Sequence, residues 1–301
     1  MDTREDLKNL CYPVNVSLGD KEHSETKHAY VKLPRSEIEA SIKQTELIAE
    51  KKPVELSKLA ERKLHEESSL VFLPSNSIDA GLFLKKEKKS NPLVLVFANE
   101  SKPGANFKGG GGQEEDIYRR TSLAYCVDSD LFRQIVSNKN LDYNLKEAGC
   151  IYAPNVLVFR KYITDGYKYC LPETLNFVLS PPLNKPKFDG SKFLDKGQQE
   201  RAERRMRTVL TVALEKNHDS IVLGAWGCGH ARNHPKAILK LINKLITTEF
   251  PHAFRYVVFA VVDDPESIPE VTKPTDEKSE PNQVVFKHFL EKSHEKHCVT
   301  F

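Results

Sequence analysis

Apolar residues along this chain fall into two kinds of pattern. Short continuous runs predict strands covered on both faces: Leu93-Val94-Leu95-Val96-Phe97, Val156-Leu157-Val158-Phe159, Phe177-Val178-Leu179, Ile221-Val222-Leu223 and Tyr256-Val257-Val258-Phe259-Ala260-Val261-Val262. Between them lie helical periods. In 199–216, Ala202, Met206, Val209, Leu210, Ala213 and Leu214 share one face, while Arg201, Arg204, Arg205 and Arg207 fall mostly elsewhere. In 235–248, Ala237, Ile238, Leu241, Ile242, Leu245 and Ile246 repeat the pattern. Pro235 suits a first helical position there, with Asn233 and His234 near the cap. Strands alternating with helices predict an α/β fold of three layers.

The flanks are patterned differently. The stretch 1–35 is polar and has no clear period, so it reads as an N-terminal extension. From Ser36 to about Glu67, Ile38, Ile42, Leu47 and Ile48, then Leu56, Leu59 and Leu64, recur at roughly helical intervals broken by Pro53. That predicts two helices, which are grouped with the α/β part in a domain spanning 36–265. The remainder, 266–301, is expected to be a polar C-terminal segment with one short helix near Val284–Leu290.

Composition narrows the classes. With 39% of 301 residues apolar, the chain can build a sizeable core. Lys plus Arg (45) against Asp plus Glu (42) leaves +3, too balanced to suggest a nucleic-acid-coating or membrane-surface protein. The longest apolar runs, Leu93–Ala98 and Tyr256–Val262, fall far short of the roughly 20 residues that cross a bilayer. The charged start lacks the apolar stretch of a secretory signal. Six scattered cysteines without a C-x-x-C pair suggest a reducing compartment, so a cytoplasmic location is expected.

Two loops carry candidate chemistry. The first runs from Asn99 through Pro103-Gly104-Ala105-Asn106-Phe107-Lys108 and Gly109–Gly112 to Gln113-Glu114-Glu115. It leaves the strand 93–98 and enters a stretch, Asp116–Tyr125, that can be helical. Successive glycines let backbone N–H groups approach a ligand, and α/β folds place ligands at strand carboxyl ends. The bland reading is a surface loop with a solvated acidic helix start. The second loop, Gly224-Ala225-Trp226-Gly227-Cys228-Gly229-His230-Ala231-Arg232-Asn233-His234-Pro235, again joins a strand to a helix and suits a phosphate or diphosphate. The Gly-Lys-Ser/Thr pattern of nucleotide triphosphatases is absent. Trp226 reads as a core residue and Cys228 as an inert buried thiol. His230 and His234 lack a third ligand, so no metal is expected.

Taken together these segments resemble the bacterial-type poly(ADP-ribose) glycohydrolases, a branch of the macrodomain fold. The family's Asn, Pro-Gly-Gly-Gly-Phe turn and Gln-Glu-Glu correspond to Asn99, Pro103–Phe107 and Gln113–Glu115. Its Gly-Ala-Trp-Gly-Cys-Gly loop ending in Asn-x-Pro corresponds to Gly224–Pro235. Ile151–Arg160 and Ser180–Asn184 are similar to two further family segments. The resemblance spans about Ser36 to Asp264 and implies a macrodomain-like fold with a mixed central sheet and an N-terminal helical extension.

It also implies hydrolysis of the glycosidic bond of an ADP-ribose unit attached to protein or to another ADP-ribose. Such a bond breaks through an oxocarbenium-like state while the leaving oxygen is protonated. The resemblance makes Glu115 the general acid and then base, with Glu114 holding ribose hydroxyls and raising its neighbour's pKa. On that basis the rate should fall on the alkaline side as Glu115 ionises. Asn99 would bind the same ribose. Gly104, Ala105, Asn106 and Phe107 would line the turn beside it. Gln113 would bind substrate too, and the backbone of Gly109, Gly110, Gly111 and Gly112, and of Gly227, Cys228, Gly229, His230, Ala231, Arg232 and Asn233, would cradle the diphosphate, with no cofactor.

Two departures stand out. Ala105 and Asn106 replace family glycines near the scissile linkage, which predicts altered substrate choice, and Ala231 replaces a common aromatic whose stacking surface is worth about 1 kcal/mol. The expected partners are an ADP-ribosylated protein or poly(ADP-ribose) as substrate and ADP-ribose as product. A monomer is expected, with neither membrane nor nucleic acid as partner. Two rivals stay open: a catalytically silent ADP-ribose reader, and a nucleic-acid module on Arg201–Arg207, residues that more often form a solvated helix face.

Overall fold

The structure, a computed structural model, describes residues 11–18, 25–52, 65–66, 68–127, 143, 145, 148–187, 194–262 and 280–293. The second helix expected around Leu56, Leu59 and Leu64 lies outside them. Strands β1 (Cys11–Leu18) and β2 (Glu25–Lys32) form an antiparallel pair, in register from Cys11↔Lys32 to Leu18↔Glu25. The extension thus carries strands where no period was expected. Tyr12, Val14, Val16 and Leu18 alternate with period two, a signal that a search for helical spacing misses.

Helix α1 (Arg35–Gln44) follows and ends before Leu47 and Ile48, which lie in β3 (Glu46–Ile48). Reading those two residues into the helix is corrected here. Thr45 takes ψ 133 and leaves the helical region, and the five-residue step from Ile42 to Leu47 breaks the 3.6 period. Next come β4 (Ser69–Leu73) and α2 (Ser77–Glu87), unanticipated from the pattern. The Asn76 side chain caps α2 by accepting from Asp79 N at 2.9 Å.

The rest follows as β5 (Pro92–Phe97), α3 (Gln113–Arg120), α4 (Leu123–Val127), β6 (Cys150–Arg160), β7 (Tyr169–Ser180), α5 (Lys196–Glu215), β8 (Ser220–Leu223), α6 (Pro235–Thr248), β9 (Tyr256–Ala260) and α7 (Asn282–Ser293). A mixed seven-stranded sheet runs in the order β3-β6-β7-β5-β8-β9-β4. Within it β5–β8, β8–β9 and β4–β9 pair in parallel. The continuous helix expected over Asp116–Tyr125 is two helices. Thr121 adopts extended angles, pairs with Val158 as an antiparallel bridge, and bonds its hydroxyl back to Ile117 O at 2.8 Å.

The chain divides into two compact units. One comprises Met1–Glu46, Lys102–Tyr143 and Ala153–Asn176; the other comprises Leu47–Ser101, Asn144–Tyr152 and Phe177–Phe301. In the second unit Leu93, Leu95, Ile221, Leu223, Val257 and Phe259 join a core with residues of α5, α6 and α7. The alternate positions Val94, Val96, Val222 and Val258 are equally buried, and α2 packs on β5 and β8. Both sheet faces are covered there, which is why these strands read as unbroken apolar runs. In the first unit Ile38 and Ile42 of α1 are buried, as are Leu123 and Cys126 of α4, and Ser41 Oγ donates to Pro154 O at 2.6 Å. Burial pushes the Cys126 thiol up to about 11, so it stays a thiol near neutral pH.

Candidate active site

Strands β5 and β8 are parallel neighbours, with Pro92↔Ser220, Leu93↔Ile221 and Val94↔Val222 in register. The chain therefore leaves both at the same sheet edge, the carboxyl edge that serves ligands in α/β folds. Just past β5, Ala98 N donates to Ser180 O at 3.3 Å, and the exposed Asn99 closes a turn by accepting from Ser101 N at 3.0 Å. Glu100 is held from α5. Its Oε1 accepts from Arg205 Nη2 at 2.6 Å and from Arg201 Nη2 at 3.4 Å.

The expectation of a solvated arginine face is overturned by Arg205. Its side chain is fully buried and donates to Pro181 O and Pro182 O, both at 3.0 Å, as well as to Glu100. Arg201 and Arg204 keep 43% and 47% of their side chains exposed while pairing with Glu100 and Glu50, and Arg207 pairs with Glu249. Arg205→Met is expected to cost about 3 kcal/mol, because two buried carbonyls and a carboxylate lose their donor together. Urea unfolding reads this directly, and a loss below about 1 kcal/mol would contradict the brace.

The first loop lies in the other unit from Lys102 onward. Tyr118 of α3 supplies its floor. The Phe107 ring lies 6.1 Å from the Tyr118 ring and is 8% exposed, so Phe107 packs on the protein rather than presenting an open face. Gly104 crosses directly above that floor at φ +70, where an added Cβ would stand 2.6 Å from Tyr118 Cδ1. Ala105 keeps the left-handed backbone of a glycine, at φ 44, although it has a side chain. That conformation costs about 1 kcal/mol.

The acids sit at the start of α3. Glu114 is 4% exposed and its Oε1 accepts from Gly104 N at 2.9 Å, so the solvated-acid reading fails for it. Glu115 is half-buried. Its Oε1 accepts from Asn106 N at 3.4 Å, and its carboxylate rests on the glycine run. A Cβ on Gly110 would come within 2.8 Å of Glu115 Oε1, and one on Gly112 within 2.5 Å of Oε2. The glycines there make room for the carboxylate.

The run offers fewer amides to a phosphate than expected. Gly109 N and Gly110 N both donate to Asn106 O, at 3.0 and 2.6 Å, which leaves Gly111 and Gly112. Arg119, four residues after Glu115, donates through Nη2 to Gly110 O. Sequence reasoning missed it; the i+4 spacing on a helix was the available signal.

The second loop is likewise partly self-satisfied. Cys228 N donates to Ala225 O, Arg232 N to Gly229 O and Asn233 N to Gly227 O, at 2.8–2.9 Å. Those three amides are therefore removed from the expected cradle. Gly227, Gly229, His230 and Ala231 N–H remain without an internal partner among the described residues. Asn233 is a brace: its buried Nδ2 donates to Leu183 O at 2.6 Å, and Lys185 N donates to Ala231 O at 2.8 Å. Trp226 is buried in the core with Nε1 donating to Ser180 O at 3.1 Å. Burial raises the Cys228 thiol far above its ordinary value, consistent with an inert residue. His234 Nδ1 accepts from Lys236 N at 3.2 Å as the cap of α6. Among the described residues no group of three His, Cys, Asp or Glu side chains is placed to hold a metal ion.

A family model described as the microbial-type PARG catalytic domain matches residues 17–161, which include the whole first loop and both glutamates. PARGs are glycosidases that hydrolyse ADP-ribose polymers. Solved PARG structures extend the likeness beyond those residues. The poly(ADP-ribose) glycohydrolase of Deinococcus radiodurans in complex with ADP-ribose is 25% identical, with TM-score 0.65, and covers 87% of this chain and 100% of its own. A second crystal form of that complex is 27% identical, with TM-score 0.63, over 87% of this chain and 99% of its own. The Thermomonospora curvata PARG bound to the inhibitor ADP-HPD shares the fold at 24% identity and TM-score 0.67, over 95% of this chain and 96% of its own. The macrodomain-like fold of the PARGs is thus the fold of this chain. No curated protein matches it. Among the described residues no helix is long and apolar enough to cross a membrane.

Proposed function

We propose that this chain hydrolyses the glycosidic bond joining ADP-ribose to protein or to another ADP-ribose, with Glu115 as the group that moves the proton. One observation supports this above the others: the Glu115 carboxylate is seated on bare backbone at Gly110 and Gly112, with Asn106 N–H aimed at it. In the first step protonated Glu115 gives its proton to the leaving oxygen as the bond from the anomeric carbon breaks. The carboxylate so formed then takes a proton from water as its oxygen adds to that carbon, which restores the starting acid.

Glu114, its Oε1 fixed by Gly104 N–H, would hold a ribose hydroxyl, and Asn99 would do the same. The diphosphate would be met by the amides of Gly227, Gly229, His230 and Ala231. Arg232, exposed and at φ 60, would pair with a phosphate oxygen. Ala105 and the exposed Asn106 replace bare glycine beside the acid, which favours a single ADP-ribose on protein, or a different linkage, over polymer. The enzyme would act as a monomer in the cytoplasm.

A panel of Ser-, Glu- and Arg-linked ADP-ribosyl proteins and poly(ADP-ribose), assayed for released ADP-ribose, tests the reading. At least one linkage is expected to be cut. Tight binding of ADP-ribose without release from any of them would make the chain a reader instead.

A further inference from the structure

Arg119 and Tyr167 have no place in the scheme above, yet a chain of contacts runs from them to the acid. Arg119 is one helical turn after Glu115 on α3 and only 9% exposed. Its guanidinium forks. Nη2 donates to Gly110 O, and Nη1 donates to the Tyr167 hydroxyl at 3.3 Å. Gly110 is the residue whose Cα faces Glu115 Oε1.

Behind Arg119 the support continues. Its own carbonyl accepts from Arg160 Nη1 at 2.6 Å, and the buried Arg160 guanidinium lies over the rings of Phe159 and Tyr169, 5.3 and 5.2 Å from their centroids. Tyr167 sits in the connection between β6 and β7 at φ 55, directly after Gly166 at φ 67. Aromatic residues rarely adopt that region, and the surrounding bonds Gly166 N to Ile163 O at 2.8 Å and Lys161 N to Lys168 O at 2.9 Å hold it there. Burial raises the Tyr167 hydroxyl's pKa, and the negative charge of Asp116 adds to the rise, so it remains a protonated phenol near neutral pH.

We propose that Tyr167 and Arg119 are positioning residues: the phenol orients the guanidinium, and the guanidinium holds the Gly110 carbonyl and with it the seat of the Glu115 carboxylate. This rests on Glu115 being the proton carrier. A displacement of about 1 Å at such a group costs on the order of 100-fold in rate, whereas substrate affinity is left alone because neither residue is assigned a substrate contact.

The test uses Arg119→Met, Arg119→Lys and Tyr167→Phe in the full chain. Arg119→Met is expected to lower kcat about 100-fold with KM within about twofold, and Tyr167→Phe about 5- to 10-fold. Lys should recover part of the loss, since one ammonium reaches a carbonyl but cannot fork to the phenol. Amide exchange at Gly109 and Gly110, whose N–H groups donate to Asn106 O, should quicken in both Arg119→Met and Tyr167→Phe. Wild-type kcat in Arg119→Met, or kcat and KM failing together with the melting temperature, overturns the assignment. Should Arg119→Met fail to fold, Tyr167→Phe decides alone, because it removes only an oxygen on a half-buried ring. The exchange readout needs no substrate. If the wild type releases no ADP-ribose, the glycohydrolase reading fails, while faster exchange still upholds the clamp and unchanged exchange sinks it.

Discussion

Glu115→Gln is expected to lower ADP-ribose release on the order of a thousandfold, the range that a positioned acid–base group supplies. The substitution isolates the proton. Glutamine has the same shape, so it fits the room left by Gly110 and Gly112, and its amide oxygen still accepts from Asn106 N. What it loses is the ability to give a proton to the departing oxygen and to take one from water. Affinity for ADP-ribose and the melting temperature should stay close to wild type. Single-turnover release on a cleavable linkage is the measurement. A drop smaller than about tenfold would remove Glu115 from proton transfer and shift attention to Glu114.

The second large effect separates neighbouring glycines. Gly112→Ala is expected to cost about 100-fold in kcat, and Gly111→Ala less than about twofold. The backbone at Gly112 has φ −75 and ψ 173, which alanine adopts without strain. The difference lies in the neighbours. A Cβ at 112 would stand 2.5 Å from Glu115 Oε2, while one at 111 meets nothing within 4 Å. The carboxylate is the movable partner and would be pushed from its seat. Some stability is also lost at 112, up to about 1 kcal/mol, because alanine is a poorer residue than glycine ahead of a helix. Melting temperatures of both variants and their kcat separate the two effects. Equal losses at 111 and 112 would mean that the run acts as a flexible loop, not as a seat.

The family resemblance agrees with the family model at the first loop, which lies within residues 17–161, and several elements were readable for local reasons. Helix α6 begins at Pro235 with His234 as its cap, because a missing N–H costs nothing at a first helical position. The runs in β5, β8 and β9 announced strands covered on both faces. Other elements escaped. Strands β1 and β2 alternate with period two inside a polar stretch, and α1 stops at Thr45 where helical spacing seemed to carry on to Ile48.

At each of the two loops the sequence overcounted the free amides. Gly109, Gly110, Cys228, Arg232 and Asn233 each use their N–H on a nearby carbonyl, and whether an amide closes a turn depends on backbone angles that composition does not reveal. Arg205 was misread for a related reason. The helical period placed it off the apolar face, but its partners Pro181, Pro182 and Glu100 lie 24, 23 and 105 residues away.

Local order along the chain was therefore enough to determine the strands β5 to β9 and the helices α5 and α6, since these follow from spacing and side-chain type. Only the tertiary structure decided which charged groups are buried, which amides remain for a ligand, and where the Glu115 carboxylate rests. Those outcomes depend on carbonyls and backbone brought close by folding, and a buried polar group is stable only where such a partner arrives.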